Sequence, residues 1–218
     1  MTVGAPWKVI LSFALPMLIG NIAQQLYNTV DSIVVGKYIG DNALAAVGSC
    51  GPIVNLLLVL FIGISAGASI MVSQYYGAKN REALSHTIGN CITATAVCSV
   101  LLILVMTPLI RPILVALNTP ASILDWCVGY LSISLWGIMG MAYYNILSGI
   151  LRGLGDSFWP LVFLLIATGI NIALDIFFVV VVQMGVPGVA LATIIAQIIS
   201  AALCLIKLAH MRGTLISV

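Results

Sequence analysis

Long apolar stretches separated by short polar clusters dominate the chain. A helix needs about 20 mainly apolar residues to cross a membrane. Six such stretches occur between the Gly, Pro and charged clusters, at approximately 10–38, 44–76, 87–110, 123–151, 158–184 and 186–208. The connections are short and turn-like, so successive helices should be antiparallel neighbours. The pattern predicts an all-α polytopic membrane protein, with residues 1–218 forming a single lobe of six transmembrane helices.

One face of the first predicted helix is polar. The residues at positions i, i+3, i+7 and i+10 of this face are Asn21, Gln24, Asn28 and Asp31. On a helix these positions fall within an arc of about 80°. Tyr27 lies one turn before Asp31, where its hydroxyl could donate a hydrogen bond to the carboxylate. We expect this polar stripe to face protein or water rather than lipid.

A second carboxylate, Asp175, lies inside the fifth predicted helix, with Asn171 one turn before it on the same face. Thr193 in the sixth helix and Tyr130 in the fourth lie at similar distances from the outer ends of their helices. At a rise of about 1.5 Å per residue, the four residues Asp31, Asp175, Thr193 and Tyr130 fall within a layer roughly 6 Å thick. Their side chains could therefore meet in one site.

The two buried carboxylates need a positive partner. The nearest basic residue is Lys37, at the water-facing end of the first helix. A carboxylate in hydrocarbon costs several kcal/mol unless it is protonated, paired or bound to a cation. Carboxylate, amide and hydroxyl oxygens suit Na⁺ or a shared proton, and they suit soft metals poorly. We therefore predict a site for Na⁺ or H⁺, with Asp31, Asn171 and Asp175 as the Na⁺ ligands.

A structural interpretation of the same residues stays open. Asp31 could lie at the membrane interface, and Asp175 could be hydrogen-bonded by Asn171 simply to hold helices together. Pro16, inside the first helix, removes a backbone hydrogen bond and predicts a hinge that a change of charge at Asp31 could work. A static kink, tolerated in a membrane bundle, is the alternative for this proline.

Composition and charge exclude several classes of function for this chain. Apolar residues are 62% of the chain and charged residues 6%, against roughly 45–50% and about 25% in soluble domains. The eight basic residues are dispersed, so nucleic acid has no patch to bind. Neither a Walker A run nor a G-x-G-x-x-G motif occurs, which excludes ATP as a direct energy source. The five cysteines are widely spaced and indicate packing residues rather than a disulfide framework or a zinc site.

Basic residues predict how the chain lies in the cell membrane. With the N-terminus inside, the cytoplasmic side carries Lys8, Lys79, Arg81, Arg152, Lys207 and Arg212, whereas the outer side carries Lys37 and Arg111. Cytoplasmic loops are enriched in Lys and Arg, so both termini should be cytoplasmic. Two such lobes, fused or associated, would lie parallel about an axis along the membrane normal.

Several short motifs together point to a known family. They are Leu15-Pro16, Gln24-Gln25, Val30-Asp31-Ser32, Val35-Gly36, Ala43-Leu-Ala-Ala-Val-Gly48, Gly63-Ile-Ser-Ala-Gly67, Ser73-Gln-Tyr-Tyr-Gly-Ala-Lys-Asn-Arg81, Leu151-Arg-Gly-Leu-Gly-Asp156 and Asn171-x-x-x-Asp175. In these motifs, which extend over essentially the whole chain, the sequence resembles the multidrug and toxin extrusion (MATE) family of cation-coupled exporters.

The resemblance implies two six-helix lobes around a central cavity, with alternating access that uses Na⁺ or H⁺ to expel amphipathic organic cations. It implies no cofactor beyond this coupling ion. The family's cation-site residues match Tyr27, Asp31, Tyr130, Asn171, Asp175, Thr193 and Asn145 here, and its bending proline matches Pro16. This chain corresponds to one lobe, the N-terminal one, so the second lobe would come from a homodimer mate or from a missing C-terminal half.

Three other functions compete with this interpretation. Gly153-Leu-Gly155-Asp156 fits a Gly-x-Gly-Asp pattern of intramembrane aspartyl proteases, but it follows Arg152 in a short connection where a turn explains the glycines. A lipid-linked saccharide flippase of the same superfamily would be expected to line its cavity with basic residues that hold phosphates, and none lies at membrane depth here. A non-transporting membrane subunit is the third alternative. We predict a transporter, not an enzyme.

Overall fold

A computed structural model describes residues 6–216, and the regular structure in this range is helical throughout. The α-helices of this range are α1 Pro6–Tyr38, α2 Asp41–Gly77, α3 Arg81–Met106, α4 Ile110–Ala116, α5 Ala121–Gly153, α6 Phe158–Ile176 and α7 Val186–Ile216. A 3₁₀ turn, Thr107–Leu109, joins α3 to α4, and a π-helical turn, Phe177–Val181, extends α6.

Six helical spans in the described range are long and apolar enough to cross a membrane. This confirms the predicted all-α class and the six transmembrane helices. The third span covers Arg81–Ala116, beyond the predicted 87–110 at both ends. At its start, the Asn80 side chain accepts a hydrogen bond from the backbone N–H of Ala83 and caps α3. At its other end, the 3₁₀ turn accommodates Pro108, so the proline does not end the span.

Helix α5 forms the centre of the lobe. It packs against α2 and α7 most extensively and also against α3, whereas α1 is peripheral and packs mainly on α6. Small residues bring α2 and α5 close together: a Cβ added at Gly153 would lie 2.6 Å from the carbonyl oxygen of Ser69. The Ser65 hydroxyl donates to the Asn145 carbonyl across the same interface, at 2.6 Å. Helices α2, α5 and α7 therefore form the centre of the lobe, and α1 attaches to it mainly through α6.

A valine cluster lies at the ends of α1 and α6 and the starts of α2 and α7. Its fully buried members are Val34, Val35, Ala43, Val179, Val186 and Val189. In the orientation predicted from the basic residues, this end of the lobe faces the outside of the cell. The cluster binds together the helix ends that surround the two membrane aspartates.

Candidate cation site

Three helices meet at the Thr193 hydroxyl. The Asn171 side-chain amide of α6 donates to Thr193 Oγ1 of α7 at 3.5 Å. Thr193 in turn donates to Asp31 Oδ2 of α1 at 3.4 Å. Both distances are at the long end for hydrogen bonds, so the contacts are weak in this arrangement. The chain of donors points toward Asp31 and leaves the oxygen of the Asn171 amide free to accept.

The carboxyl groups of Asp31 and Asp175 are close neighbours in the structure. Asp175 and Asn171 are completely buried, and Asp31 is half-buried. Because two ionised carboxylates can only accept hydrogen bonds, their direct contact needs a proton or a cation between them. The structure thus brings together Asp31 and Asp175, the two acids whose positions along their helices predicted a common depth in the membrane.

Buried oxygen atoms without donors concentrate around this pair. Within the described part of the chain, five of them have no hydrogen-bond partner: Tyr27 Oη, Asp31 Oδ1, Asn171 Oδ1, Asp175 Oδ1 and Asp175 Oδ2. Leaving buried polar atoms unsatisfied is costly, and five of them at one point are far above the usual density. A set of carboxylate, amide and hydroxyl oxygens matches the ligand preference of hard cations.

The two predicted tyrosines lie beside the acids. Tyr27 is buried, and its hydroxyl has no hydrogen-bond partner among the described residues, so it does not make the bond to Asp31 that its position in the sequence allowed. Tyr130 of α5 lies near both carboxyl groups and packs against the valine cluster. Six of the seven predicted ligands therefore belong to one neighbourhood formed by α1, α5, α6 and α7.

Asn145 is the residue that the structure does not bring to this site. It lies 15 residues after Tyr130 on the same helix, which is roughly 22 Å along the helix axis. Its Nδ2 donates to the Met141 carbonyl within α5 at 2.9 Å. The role that the resemblance implied for Asn145 is therefore not supported, because helix rise separates it from the acids.

Basic side chains in the described part of the chain form no ion pair with the two acids. Lys37 lies in the last turn of α1, and its Nζ sits 5.5 Å from the centroid of the Tyr38 ring. The ion pair that the structure shows joins Arg111 and Asp125, at 3.6 Å, and both side chains are exposed. No described Lys, Arg or His forms a salt bridge with Asp31 or Asp175, so neither acid has a resident counter-charge.

Pro16 lies within a continuous α1, fifteen residues before Asp31. One turn further on, Gly20 approaches α6, where an added Cβ would lie 3.8 Å from Leu161 and 3.9 Å from Leu164. Pro16 therefore lies one turn before the point where α1 packs against α6, its main neighbour. The hinge role of Pro16 stays a prediction.

The polar stripe of α1 runs along the edge of the lobe. Tyr27 is buried and Gln24 and Asp31 are half-buried, whereas Asn21 and Asn28 are exposed. The stripe thus starts at the cation site and continues onto the outer surface of the lobe. Amide side chains on such a surface need water or another protein domain, because lipid cannot hydrogen-bond them. The contact of the stripe with water or protein stays a prediction.

Two buried polar residues of α7 extend the site and were missed from sequence. Gln197 and Ser200 are buried, and neither Gln197 Oε1 nor Ser200 Oγ has a partner among the described residues. With Thr193 they follow i, i+4, i+7 spacing, which would have revealed them as one helix face.

The valines were also missed as part of the site. Val35 follows Asp31 by one turn, Val179 follows Asp175 by one turn, and Val189 precedes Thr193 by one turn. All three side chains are buried in the valine cluster. One apolar layer therefore closes the site on the side of the helix ends.

Asp156, which suggested a protease motif, caps a helix instead. Its Oδ1 accepts a hydrogen bond from the backbone N–H of Trp159 at 3.1 Å, at the start of α6. Gly155 has a φ of +90°, a conformation that side chains rarely adopt, so the turn itself requires glycine there. The motif is explained by chain reversal between α5 and α6.

Comparison with known proteins identifies the family. Residues 16–177 match the family described as MatE. Probable multidrug resistance protein YoeA of Bacillus subtilis is 34% identical over 196 residues, which are 88% of this chain and 42% of the relative. Probable multidrug resistance protein NorM of Thermotoga maritima is 29% identical over 200 residues, 89% of this chain and 42% of the relative.

Solved structures agree with this assignment. A structure described as MATE in the straight conformation has a TM-score of 0.89 at 28% identity, and the match covers 97% of this chain and 47% of that one. MATE in the bent conformation gives a TM-score of 0.86 at 28% identity, covering 92% and 45%. The chain spans less than half the length of these relatives. This multi-pass membrane chain therefore belongs to the MATE family, whose members are transporters rather than enzymes, and it has the fold of one six-helix MATE lobe.

Proposed function

We propose that this chain is one lobe of an antiporter that exports amphipathic organic cations in exchange for Na⁺ or H⁺. The observation that carries the proposal is the buried pair of acids, Asp31 and Asp175, which face each other without a basic partner in the described range. A mobile cation is the simplest source of the missing positive charge. The relatives are named as multidrug resistance proteins, which supports drug-like substrates.

Two ions fit the oxygen cluster. A sodium ion would be held by the carboxylates of Asp31 and Asp175 and by the Asn171 carbonyl oxygen, with the Tyr27 hydroxyl as a further candidate. A proton would instead form a hydrogen bond between the two carboxyl groups. Both ions use the same atoms, so they should compete for the site.

The packing of α1 supports a coupling mechanism. Helix α1 is attached to the lobe mainly through α6. The contacts of Asp31 with Thr193 and Asp175 are therefore a large part of the polar interactions that hold α1 in place. Binding or release of a cation changes the charge at this attachment and biases α1 between two positions. Pro16 would absorb part of the bend, because its missing N–H weakens the helix locally.

The substrate cavity would form between this lobe and a second one. Exposed amides at Asn21 and Asn28 lie on the α1 surface beside the cation site and suit a water-filled cavity wall. The second lobe would be a homodimer mate or a C-terminal half of a longer protein, lying parallel to this one. Alternating access would then move the cavity between the two sides of the membrane.

We also propose that the chain lies in the membrane with both termini in the cytoplasm. Lys79 and Arg81 lie at the α2–α3 connection, and Arg152 lies in the last turn of α5, all at one end of the lobe. Lys207 lies near the same end on α7, with its Nζ 4.6 Å from the Trp159 ring centroid. The side chain of Arg212 is outside the described residues. The excess of positive charge at this end favours the cytoplasmic side.

Binding measurements on the lobe test the coupling site without needing a second lobe. The purified chain in detergent should bind radioactive Na⁺, or should release protons when Na⁺ is added. Failure of both responses would contradict Na⁺ binding at the site and leave only the proton as the coupling ion. Transport of a fluorescent organic cation into proteoliposomes, driven separately by a pH gradient and by a Na⁺ gradient, then identifies the coupling ion.

The same vesicles separate the competing functions. Scrambling of a labelled lipid-linked saccharide without cation dependence would indicate a flippase, and cation binding with no transport under any gradient would indicate a non-transporting subunit.

A further inference from the structure

Two of the five cysteines lie against each other where α2 packs on α5. The Cys50 thiol donates to the Cys127 carbonyl at 3.8 Å, and the Cys127 thiol donates to the Ala46 carbonyl at 3.7 Å. Both cysteines and Ala46 are completely buried in this interface.

The mutual contacts of the two cysteines point to a crosslink between the helices. A disulfide needs facing Cβ atoms and Cα atoms about 4.4–6.8 Å apart. Each thiol here reaches the backbone of the opposite helix within one turn of the other cysteine, which places the two side chains face to face. The small side chain of Ala46 allows the helices to approach closely.

The remaining cysteines are distributed over two apolar clusters. Cys98 of α3 lies at the edge of the cluster that contains Cys50 and Cys127, and Cys91 of α3 packs against the cluster that contains Cys204 of α7. Cys50 and Cys127, 77 residues apart in sequence, are the pair in which each thiol contacts the backbone of the other's helix.

We propose that Cys50 and Cys127 form an oxidisable dithiol whose disulfide joins α2 to α5 beside the cation site. Two S–H bonds break and one S–S bond forms. The two protons and two electrons pass to a membrane-permeant two-electron oxidant, such as the diazene diamide, which becomes a hydrazine. Thiol reductants reverse the reaction by exchange.

The location of the dithiol connects it to the proposed ligands. Tyr130 lies one turn after Cys127 on the same face of α5, close to Cys50 and to both carboxyl groups. A disulfide would hold the turn of α5 that carries Tyr130 against α2. Formation of the bond does not require cation binding, so its test is independent of the proposed transport function.

Counting free thiols tests the proposal on the full chain. The protein in detergent is treated with diamide, denatured, and labelled with a maleimide, and its intact mass is measured. The reduced chain should take up five maleimide groups, one for each cysteine, and the oxidised chain two fewer. Peptide mapping of the oxidised sample should recover a linked peptide pair containing Cys50 and Cys127, and dithiothreitol should restore full labelling.

Variants provide matched controls. Cys50→Ala and Cys127→Ala should each abolish the oxidant-dependent loss of labelling. Cys204→Ala removes an equally buried cysteine from another interface and should still lose two labels on oxidation. The proposal is overturned if the unmodified chain keeps all its thiols, if linked peptides join other cysteines, or if Cys50→Ala still loses two labels. Because mapping is done on the unmodified chain, the result does not depend on any variant folding.

Discussion

The Thr193 hydroxyl lies 3.4 Å from Asp31 Oδ2 and joins α7 to α1, two helices that otherwise make few contacts. The same hydroxyl accepts a hydrogen bond from Asn171 of α6 at 3.5 Å. One threonine thus orients the acid and the amide that the proposed cation would use. Its removal tests whether this orientation matters for binding.

We expect Thr193→Val to weaken Na⁺ binding by about tenfold, which corresponds to about 1.4 kcal/mol. Valine keeps the volume but cannot donate to Asp31 or accept from Asn171. Thr168→Val is the matched control, because the Thr168 hydroxyl donates to the Leu164 carbonyl within α6. Isothermal titration of both variants with NaCl measures the effect. Equal affinities in the two variants would show that the Thr193 contacts do not organise the site.

Neutralising either membrane acid should remove cation coupling. Asp31→Asn and Asp175→Asn keep the shape of each side chain but cannot release a proton or offer a charged ligand, so gradient-driven flux should fall at least tenfold. Asp156→Asn is the control, because asparagine caps a helix as well as aspartate does and the Trp159 contact can persist. Fluorescent-substrate efflux from proteoliposomes measures all three, and undiminished flux in both membrane-acid variants would exclude the coupling role.

Na⁺ affinity should decrease as the pH falls. Na⁺ needs ionised carboxylates, and protons bind the same oxygens of Asp31 and Asp175, so a lower pH favours the competitor. The apparent Kd should rise by up to about tenfold per pH unit where one proton is displaced for each Na⁺ bound. Titrations at a series of pH values check this, with choline chloride as the ionic-strength control. A Kd that stays constant with pH would mean that Na⁺ and H⁺ do not share the site.

Restoring the backbone of α1 should slow transport without weakening cation binding. Pro16→Ala supplies the missing N–H and stiffens the helix where it would bend. Turnover should fall while the Na⁺ affinity stays within about twofold, since the ligands lie four turns away. Pro52→Ala, inside α2, is the control and should leave turnover unchanged. If Pro16→Ala transports at the normal rate, the proline is a static feature of α1.

The close contact between α2 and α5 predicts a stability effect. In Gly153→Ala the new Cβ would lie 2.6 Å from the Ser69 carbonyl oxygen, a backbone atom that cannot move away easily. We expect a loss of about 1–3 kcal/mol in stability. Gly169→Ala on α6 is the matched control, because its Cβ meets nothing within 4 Å. Thermal unfolding in detergent compares them, and equal melting temperatures would show that the interface adapts.

Helix number and residue depth could be predicted from sequence because both depend on one-dimensional properties. A lipid-spanning segment must be apolar along its whole length, which makes the six spans visible in the chain. A helix rises by a constant amount per residue, so distance from a helix end estimates depth. Asp31, Asp175 and Thr193 were expected in one layer on this basis, and the structure places them in contact. The same rule applied to Asn145 would have excluded it from that layer.

Contacts between helices could not be predicted from the sequence, because the pattern of apolar positions does not specify which helices are neighbours. The rotation of each helix and the choice of its neighbours follow from the packing of side chains far apart in sequence, such as Gly153 on Ser69. Packing buried the Tyr27 hydroxyl without a hydrogen-bond partner, assembled the valine cluster beside the acids, and brought Cys50 to Cys127. The apolar sequence by itself determined that this chain forms six membrane helices with acids at a common depth. Only the tertiary structure decided which side chains meet there, because lateral neighbours are selected by close packing in three dimensions.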